Sequence, residues 1–301
     1  MTKLLYLFPL LLFTLTSCGD RQPATETVAG SAMESFGGLA LYTLRDTLPQ
    51  NPRTVLQEVA DLGYAYVEAA GWQDGTFYGM APSAFRTLLD DVGLEPMSSH
   101  QGGATLDNLD QMIADVKAAG FEYFVIPVPP MGAFAFDPAT RKLSMTQDME
   151  TVMANINMIA DRAAAAGLKT LYHNHDFEFR ADEDGVVPIE YFLEHSDPDK
   201  LNFQMDLYWV TRAGADPLDY FARYPGRWKA WHVKDMDGEG RFAPVGTGSI
   251  DFGRIWAARE QAGMEFYLVE QDMTFDGQTP LEAIAVSRGG LQEMVAPESG
   301  E

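Results

Sequence analysis

The chain is poor in cysteine, in histidine and in positive charge. Cys18 is its one cysteine in 301 residues, so no internal disulfide framework is available to it. Lysine and arginine number 21 against 44 aspartates and glutamates, a formal net charge of −23. Such a surface repels phosphate backbones and anionic headgroups, which excludes nucleic acid from the expected partners. Residues 36–296 contain no low-complexity break and no closely repeated block, so nothing divides that stretch into separate domains. Only five histidines are present, and two of them sit side by side in "LYHNHDFEF", residues 171–179.

What is present begins with residues 1–17: Lys3, the apolar run "LLYLFPLLLF", then "TLTSC". A short positive region, an apolar core too short to span a bilayer comfortably and a small-residue cleavage site read as a signal peptide. "LTSC", Leu15 to Cys18, resembles the lipobox of bacterial lipoproteins. That resemblance implies cleavage before Cys18 and lipidation of its sulfur. The chain is then expected to be exported and tied to the bacterial membrane by lipid alone, at a periplasmic or cell-surface face. Residues 18–35 are small and polar, which suits a flexible tether. Residues 36–296 remain as the folded body and 297–301 as a tail.

Within the body, short β-rich runs alternate with helical patterns. Strands are expected at 38–44, 64–70, 95–100, 121–127, 169–175, 201–206, 229–235 and 265–271. Helices are expected at 52–62, 82–92, 106–119, 147–166, 188–195, 216–223, 251–262 and 280–295. "NPRTVLQEVADLG" shows the logic: an Asn cap, Pro at the first helical position, apolar residues at helical spacing and a glycine stop. "DLGY", "DVGL", "AAGF", "AAGL" and "QAGM" repeat that glycine stop before strands. Eight such alternations predict a single-domain (β/α)8 TIM barrel, with a doubly wound open sheet as the fallback.

Barrel chemistry gathers at the C-terminal strand ends. Four histidines fall there, His100, His173, His175 and His232, with the carboxylates Glu68, Asp206 and Glu270 and the ammonium of Lys234. His195, the fifth, lies near a helix end, where it suits the helix dipole. Alternation along a strand points His173 and His175 the same way. Buried together, imidazoles and carboxylates are costly without a cation, and one divalent metal offsets that cost. Aromatic residues crowd the loops after the strands, Trp72 among them, and flat faces with polar edges suit sugar rings. There is no arginine cluster dedicated to phosphate. Arg45, at the first strand end, is a further basic rim residue, with a bridge to Asp46 as its ordinary reading, and Gly246 and Gly248 read as a tight loop leading to Asp251.

"FQMD", "WHVKD" followed by "PVGTGSIDF", and "YLVEQD" together resemble the xylose-isomerase-like TIM barrel superfamily, the sugar phosphate isomerase/epimerase family. The group includes sugar epimerases, inosose dehydratases and endonuclease IV enzymes, and the resemblance covers nearly the whole body. It implies one metal held by Glu, Asp, His and Glu on strands five to eight. Asp206, His232 and Glu270 match, and His173 stands where strand five should offer glutamate. The implied ligands are therefore His173, Asp206, His232 and Glu270, with His175 facing substrate; the opposite assignment, His175 as ligand, stays open. Such a donor set suits Mn, Fe, Co, Ni or Zn.

The implied chemistry is removal of a proton beside a carbonyl, with Glu270, His175 and Lys234 as the proton-transfer groups. Glu68, His100, Glu178 and Trp72 are the expected substrate contacts. The first expectation is a metal-dependent isomerase or epimerase acting through an enediolate on an unphosphorylated sugar or keto-sugar. A lyase or hydratase acting on 3-keto-glycosides or inosose-type substrates by β-elimination is the second. The expected partner in both is a small carbohydrate. From another class, the chain would be a lipoprotein that binds sugar without turnover.

Overall fold

The structure, a computed structural model, describes residues 36–296 apart from 141 and 183. The expected signal (1–17), the tether with Cys18 (18–35) and the tail (297–301) lie outside the described residues. Among the described residues, no helix is long and apolar enough to cross a membrane.

Eight strands close into a barrel: β1 (Gly38–Ala40), β2 (Tyr66–Ala69), β3 (Glu95–His100), β4 (Tyr123–Ile126), β5 (Lys169–His173), β6 (Leu201–Asp206), β7 (Trp228–Val233) and β8 (Phe266–Val269). All eight pairings are parallel and follow chain order. The ring shuts where Gly38 and Leu39 pair with Leu268 and Val269, which excludes the open sheet. Parallel strands need long crossovers, and helices on the outside supply them. Proline opens five helices, at Pro52, Pro82, Pro188, Pro217 and Pro280, where its missing N–H costs nothing. Gly93 stops the helix that Pro82 opens and Gly263 stops Arg259–Ala262, at φ of 78° and 79°, a left-handed conformation that a side chain resists.

Most of the apolar core lies between barrel and helices, for instance where Phe221 stacks on Trp231 with ring centroids 5.4 Å apart. A smaller cluster of Tyr123, Val125, Leu171, Ala230, Phe266 and Leu268 fills the barrel's lower interior. Above it the inward positions turn polar.

Several expected boundaries move. The first strand ends at Ala40, and Leu41–Leu44 forms a 3₁₀ turn; its buried leucines read the same in either conformation. A helix, Leu207–Arg212, starts directly at the end of β6 because the Asp206 side chain caps the Trp209 amide. The expected helix at 251–262 breaks at Ala258 into Phe252–Ala257 and Arg259–Ala262. Three short ribbons stand on the rim, Trp72–Gln73 with Thr76–Phe77, Phe134–Asp137 with Lys142–Met145, and Asp235–Met236 with Phe242–Ala243. Runs this short give alternation too little length to be read from sequence.

Candidate active site

Alternation carries the interior upward along three strands. On β7 it runs Ala230, His232 and on to Lys234; on β8 it runs Leu268, Glu270 and Asp272; on β6 it runs Gln204 and Asp206. Register sets Asp206 beside His232. Two irregularities in register fall at Val67/Glu68 and Phe203/Gln204. Such breaks re-aim side chains. Here they bring Gln204 Nε2 to within 2.8 Å of Glu68 Oε2 across the barrel.

Asp206, His232 and Glu270 are buried and converge, each offering one donor atom within 4.8 Å of the others. His232 Nδ1 stands 3.0 Å from Glu270 Oε2 and 3.9 Å from Asp206 Oδ2. His173 Nε2 lies 3.9 Å from the same Asp206 oxygen, and its ring also groups with those of His100 and His232. Donors about 2.1 Å from a common ion are separated by roughly 3 to 4 Å, so these separations fit one cation. Asp206 Oδ2 is buried and accepts no hydrogen bond, and its near neighbours are the Lys234 ammonium at 3.0 Å and the two imidazoles at 3.9 Å. The far side of each imidazole is tied down. His232 Nε2 meets Glu68 Oε1 at 2.7 Å, and His173 Nδ1 donates to Gln204 Oε1 at 2.9 Å. Those contacts fix the rings so that the other nitrogen faces the cluster, the arrangement that metal-binding histidines need. Asp206, His232 and Glu270 therefore fit a divalent metal, with His173 beside them.

Glu68 is the hub beneath this layer. It also meets His100 Nε2 at 3.0 Å and accepts from Ser98 Oγ at 2.7 Å. Burial opposes its ionisation, yet the His100 and His232 imidazoles outweigh burial and hold the carboxyl well below its usual range. Burial likewise resists charge on His232, but Glu270 and Glu68 pull its pKa up to about 10. Lys234 is 1 % exposed, with Nζ 3.0 Å from Asp206 Oδ2, 2.6 Å from Glu270 Oε2 and 2.7 Å from Asp272 Oδ2. Those three carboxylates outweigh burial and hold the ammonium charged. Burial lifts Asp272 to about 6 against the pull of Lys234.

"HNHDFE" now has a geometry. His173 ends β5 and points inward. Asn174 is buried, and its Oδ1 accepts the Asp206 amide at 3.1 Å, locking β5 to β6. His175 lies past the strand, opens onto the cavity, and keeps a buried Nδ1 with no partner. Burial and the Lys234 charge push its pKa down to about 3, so the ring is neutral. Glu178 closes the turn, accepting from the His175 amide at 2.8 Å and from Tyr172 Oη at 2.9 Å.

The family model described as "Xylose isomerase-like TIM barrel" matches residues 56–282. The chain belongs to that family. Among curated relatives, an inosose dehydratase of Lacticaseibacillus casei is 29% identical over 146 residues, 42% of this chain and 48% of that protein. The match thus spans about half the length of that relative. A solved sugar phosphate isomerase/epimerase from Parabacteroides distasonis ATCC 8503 superposes with a TM-score of 0.73 at 26% identity, covering 92% of this chain and 99% of that one. A xylose isomerase-like TIM barrel protein from Mycobacterium smegmatis, solved in complex with magnesium, shares the fold at a TM-score of 0.61 and 15% identity, covering 87% of this chain and 96% of that one.

Within this xylose isomerase-like barrel, a cavity of about 1220 Å³ opens over the cluster, lined in part by His100, His173, His175, Lys234 and Glu270. Three expected substrate contacts do not line it. Glu68 is sealed beneath the imidazoles it orients, and Glu178 is buried behind His175 as a turn anchor. Trp72 turns away, its indole N–H donating to Asp115 at 3.0 Å. Arg45 does line the cavity, but it donates to the carbonyls of Tyr42 and Asp272 rather than bridging Asp46. Asp235 turns back to its own loop. Its carboxylate accepts the amides of Met236, Gly246, Gly248 and Ile250, and a side chain at Gly248 would collide with it. The sequence reading missed Gln204 and Asp272, although each lies two residues from a residue it named, on the same inward face.

Proposed function

We propose that this barrel is a divalent-metal-dependent carbohydrate lyase that expels an oxygen β to the carbonyl of an unphosphorylated keto-sugar. The observation that carries the reading is Lys234, a buried ammonium that opens onto the cavity from among Asp206, Glu270 and Asp272. A cation bound by His173, Asp206, His232 and Glu270 would supply Lewis acidity, making the C–H beside a carbonyl easier to ionise. Glu270, held well below its usual range because Lys234 and His232 outweigh burial, is the base that takes this proton. Lys234 gives a proton to the departing oxygen, and Asp272, 2.7 Å away, is the route by which it is replaced. His175, neutral and with a free nitrogen, holds a substrate hydroxyl or receives its proton. The similarity to an inosose dehydratase supports elimination. Convergence of the donor atoms supports an enzyme over a lipoprotein that only binds sugar.

Epimerisation or isomerisation is the second reading. It is favoured by His175, which offers a second proton acceptor at the cavity wall, and by the similarity to a sugar phosphate isomerase/epimerase. Both readings pass through loss of the same hydrogen. A 3-keto-glycoside labelled with deuterium at that carbon and incubated with Mn-loaded protein in ordinary water should lose the label to solvent, and Glu270→Gln should abolish the loss. Released alcohol with an unsaturated ketone identifies the lyase, and an epimer or isomer identifies the second reading. Turnover that keeps the label at that carbon would sink both.

We further propose an exported lipoprotein anchored through Cys18, which follows an apolar core and "LTS". The mature chain should begin at Cys18 and partition with detergent, and Cys18→Ala should give an unprocessed or soluble product. A mature terminus elsewhere, without lipid, refutes the anchor.

A further inference from the structure

The cavity is larger than the chemistry alone requires. A keto-hexose has about a dozen non-hydrogen atoms, and pockets for much larger, drug-sized ligands run to roughly 300–1,000 Å³. This one measures about 1220 Å³. Its surplus space is walled by rings. Lys234 Nζ lies 5.7 Å from the Trp209 ring centroid and 5.4 Å from that of Phe242. Trp209 and Phe242 are 5.5 Å apart, and Phe242 and Tyr208 are 4.4 Å apart. An aromatic wall therefore starts beside the ammonium and runs outward. Phe134 and Phe136 enter the same cavity from the Phe134–Asp137 ribbon. Phe136 is 55% exposed and Tyr42, also in the lining, is 41% exposed, two of the few large apolar side chains that the described residues leave in water.

We propose that the substrate has two rings. The keto-sugar ring sits at the His173–Asp206–His232–Glu270 cluster, and a second flat six-membered ring, joined through a glycosidic oxygen, rests on the Trp209–Phe242–Tyr208 wall and is covered by Phe136. This rests on the lyase reading, since it makes the second ring the leaving group. The step balances without an oxidant or reductant. Glu270 takes the proton between the carbonyl carbon and the glycosidic carbon, and those electrons form the new carbon–carbon double bond. The bond from the glycosidic carbon to oxygen breaks with its electron pair on oxygen, and Lys234 supplies that oxygen's proton. The products are the free alcohol or phenol and an unsaturated keto-sugar. Contacts of a second ring with such a wall are enough to rank ligands by affinity.

Binding tests the second-ring site apart from turnover. Calorimetry on the Mn-loaded full chain compares glucose and methyl β-glucoside with 4-nitrophenyl β-glucoside and cellobiose, none of which carries the ketone that elimination needs. The two-ring ligands should bind at least ten-fold more tightly, and Phe136→Ala should collapse that ratio. The tighter of the two assigns the ring, aromatic or sugar. Equal affinity for one-ring and two-ring ligands, or a preference that survives in both Phe136→Ala and Phe242→Ala, overturns the proposal. Tighter two-ring binding with no alcohol release from the matching 3-keto-glycosides would keep the second-ring site and remove the lyase chemistry. Alcohol release without a two-ring preference would do the reverse.

Discussion

Replacing Lys234 by Met tests the charge balance on which the site depends. Methionine has a similar length, and the neighbouring Trp209 and Phe242 rings accept a thioether, so packing is nearly conserved. What is lost is the cation between Asp206, Glu270 and Asp272, at 3.0, 2.6 and 2.7 Å. Without it these buried carboxylates share only the His232 imidazolium, which also faces Glu68. Removing one partner from a buried ionic group costs about 3–5 kcal/mol, because charge is left uncompensated in a poorly solvated place. For a domain of this size 1 kcal/mol moves Tm by about 2–4 °C, so the metal-free variant should melt roughly 10 °C below the parent. The deficit should be larger at pH 8 than at pH 5, where protonation begins to relieve the stranded carboxylates. Saturating Mn²⁺ at about a thousand times its Kd adds about 4 kcal/mol of stability and should close much of the gap. Differential scanning calorimetry with chelator, then with metal, reads all of this. A metal-free variant within 2 °C of the parent at pH 8 would mean that Lys234 balances no buried charge, and the reasoning would be wrong.

Two further outcomes follow from the buried groups around the cluster. Glu68→Gln should weaken metal binding about 10- to 100-fold without abolishing it, because His232 loses its orienting carboxylate but stays in place; a metal titration reads this, with Asp206→Ala as the control that loses the ion. Burial pushes Glu178 up to about 8 against an ordinary value near 4.3, so between those values the folded chain holds a proton that the unfolded chain has released. Stability should therefore fall as pH rises through that window, by on the order of 5 kcal/mol from this group, and Glu178→Gln should flatten the slope in urea titrations; parallel curves for the two proteins would refute the assignment.

The barrel was legible because its signals are local. A proline at a helix start and a glycine at its end act within a turn, and five of each, spread over eight strand–helix alternations, left little choice of fold. The inward ladder from Ala230 through His232 to Lys234 was equally local, since alternation is set by the pleat. Partners across the barrel were not legible. Glu68 and Gln204 lie 136 residues apart and meet only after ring closure and two breaks in register. For the same reason Glu68 looked like a rim residue facing substrate when it is the support of His232. Trp72 misled because a rim ribbon of two residues a side decides which way its indole turns.

Asp235 has a consequence for what the loop after β7 can hold. Barrel enzymes commonly seat a substrate phosphate in the loops after strands seven and eight, where backbone amides converge. Here the loop after β7 has amides that do converge, those of Gly246, Gly248 and Ile250 together with Met236, but all four are spent on the chain's own carboxylate. A phosphorylated sugar arriving at this loop meets a seat already taken by a tethered anion, and evicting it would unfasten the stretch from 246 to 250. A phosphate at this loop would find none of the four amides free, which accords with the unphosphorylated substrate proposed above.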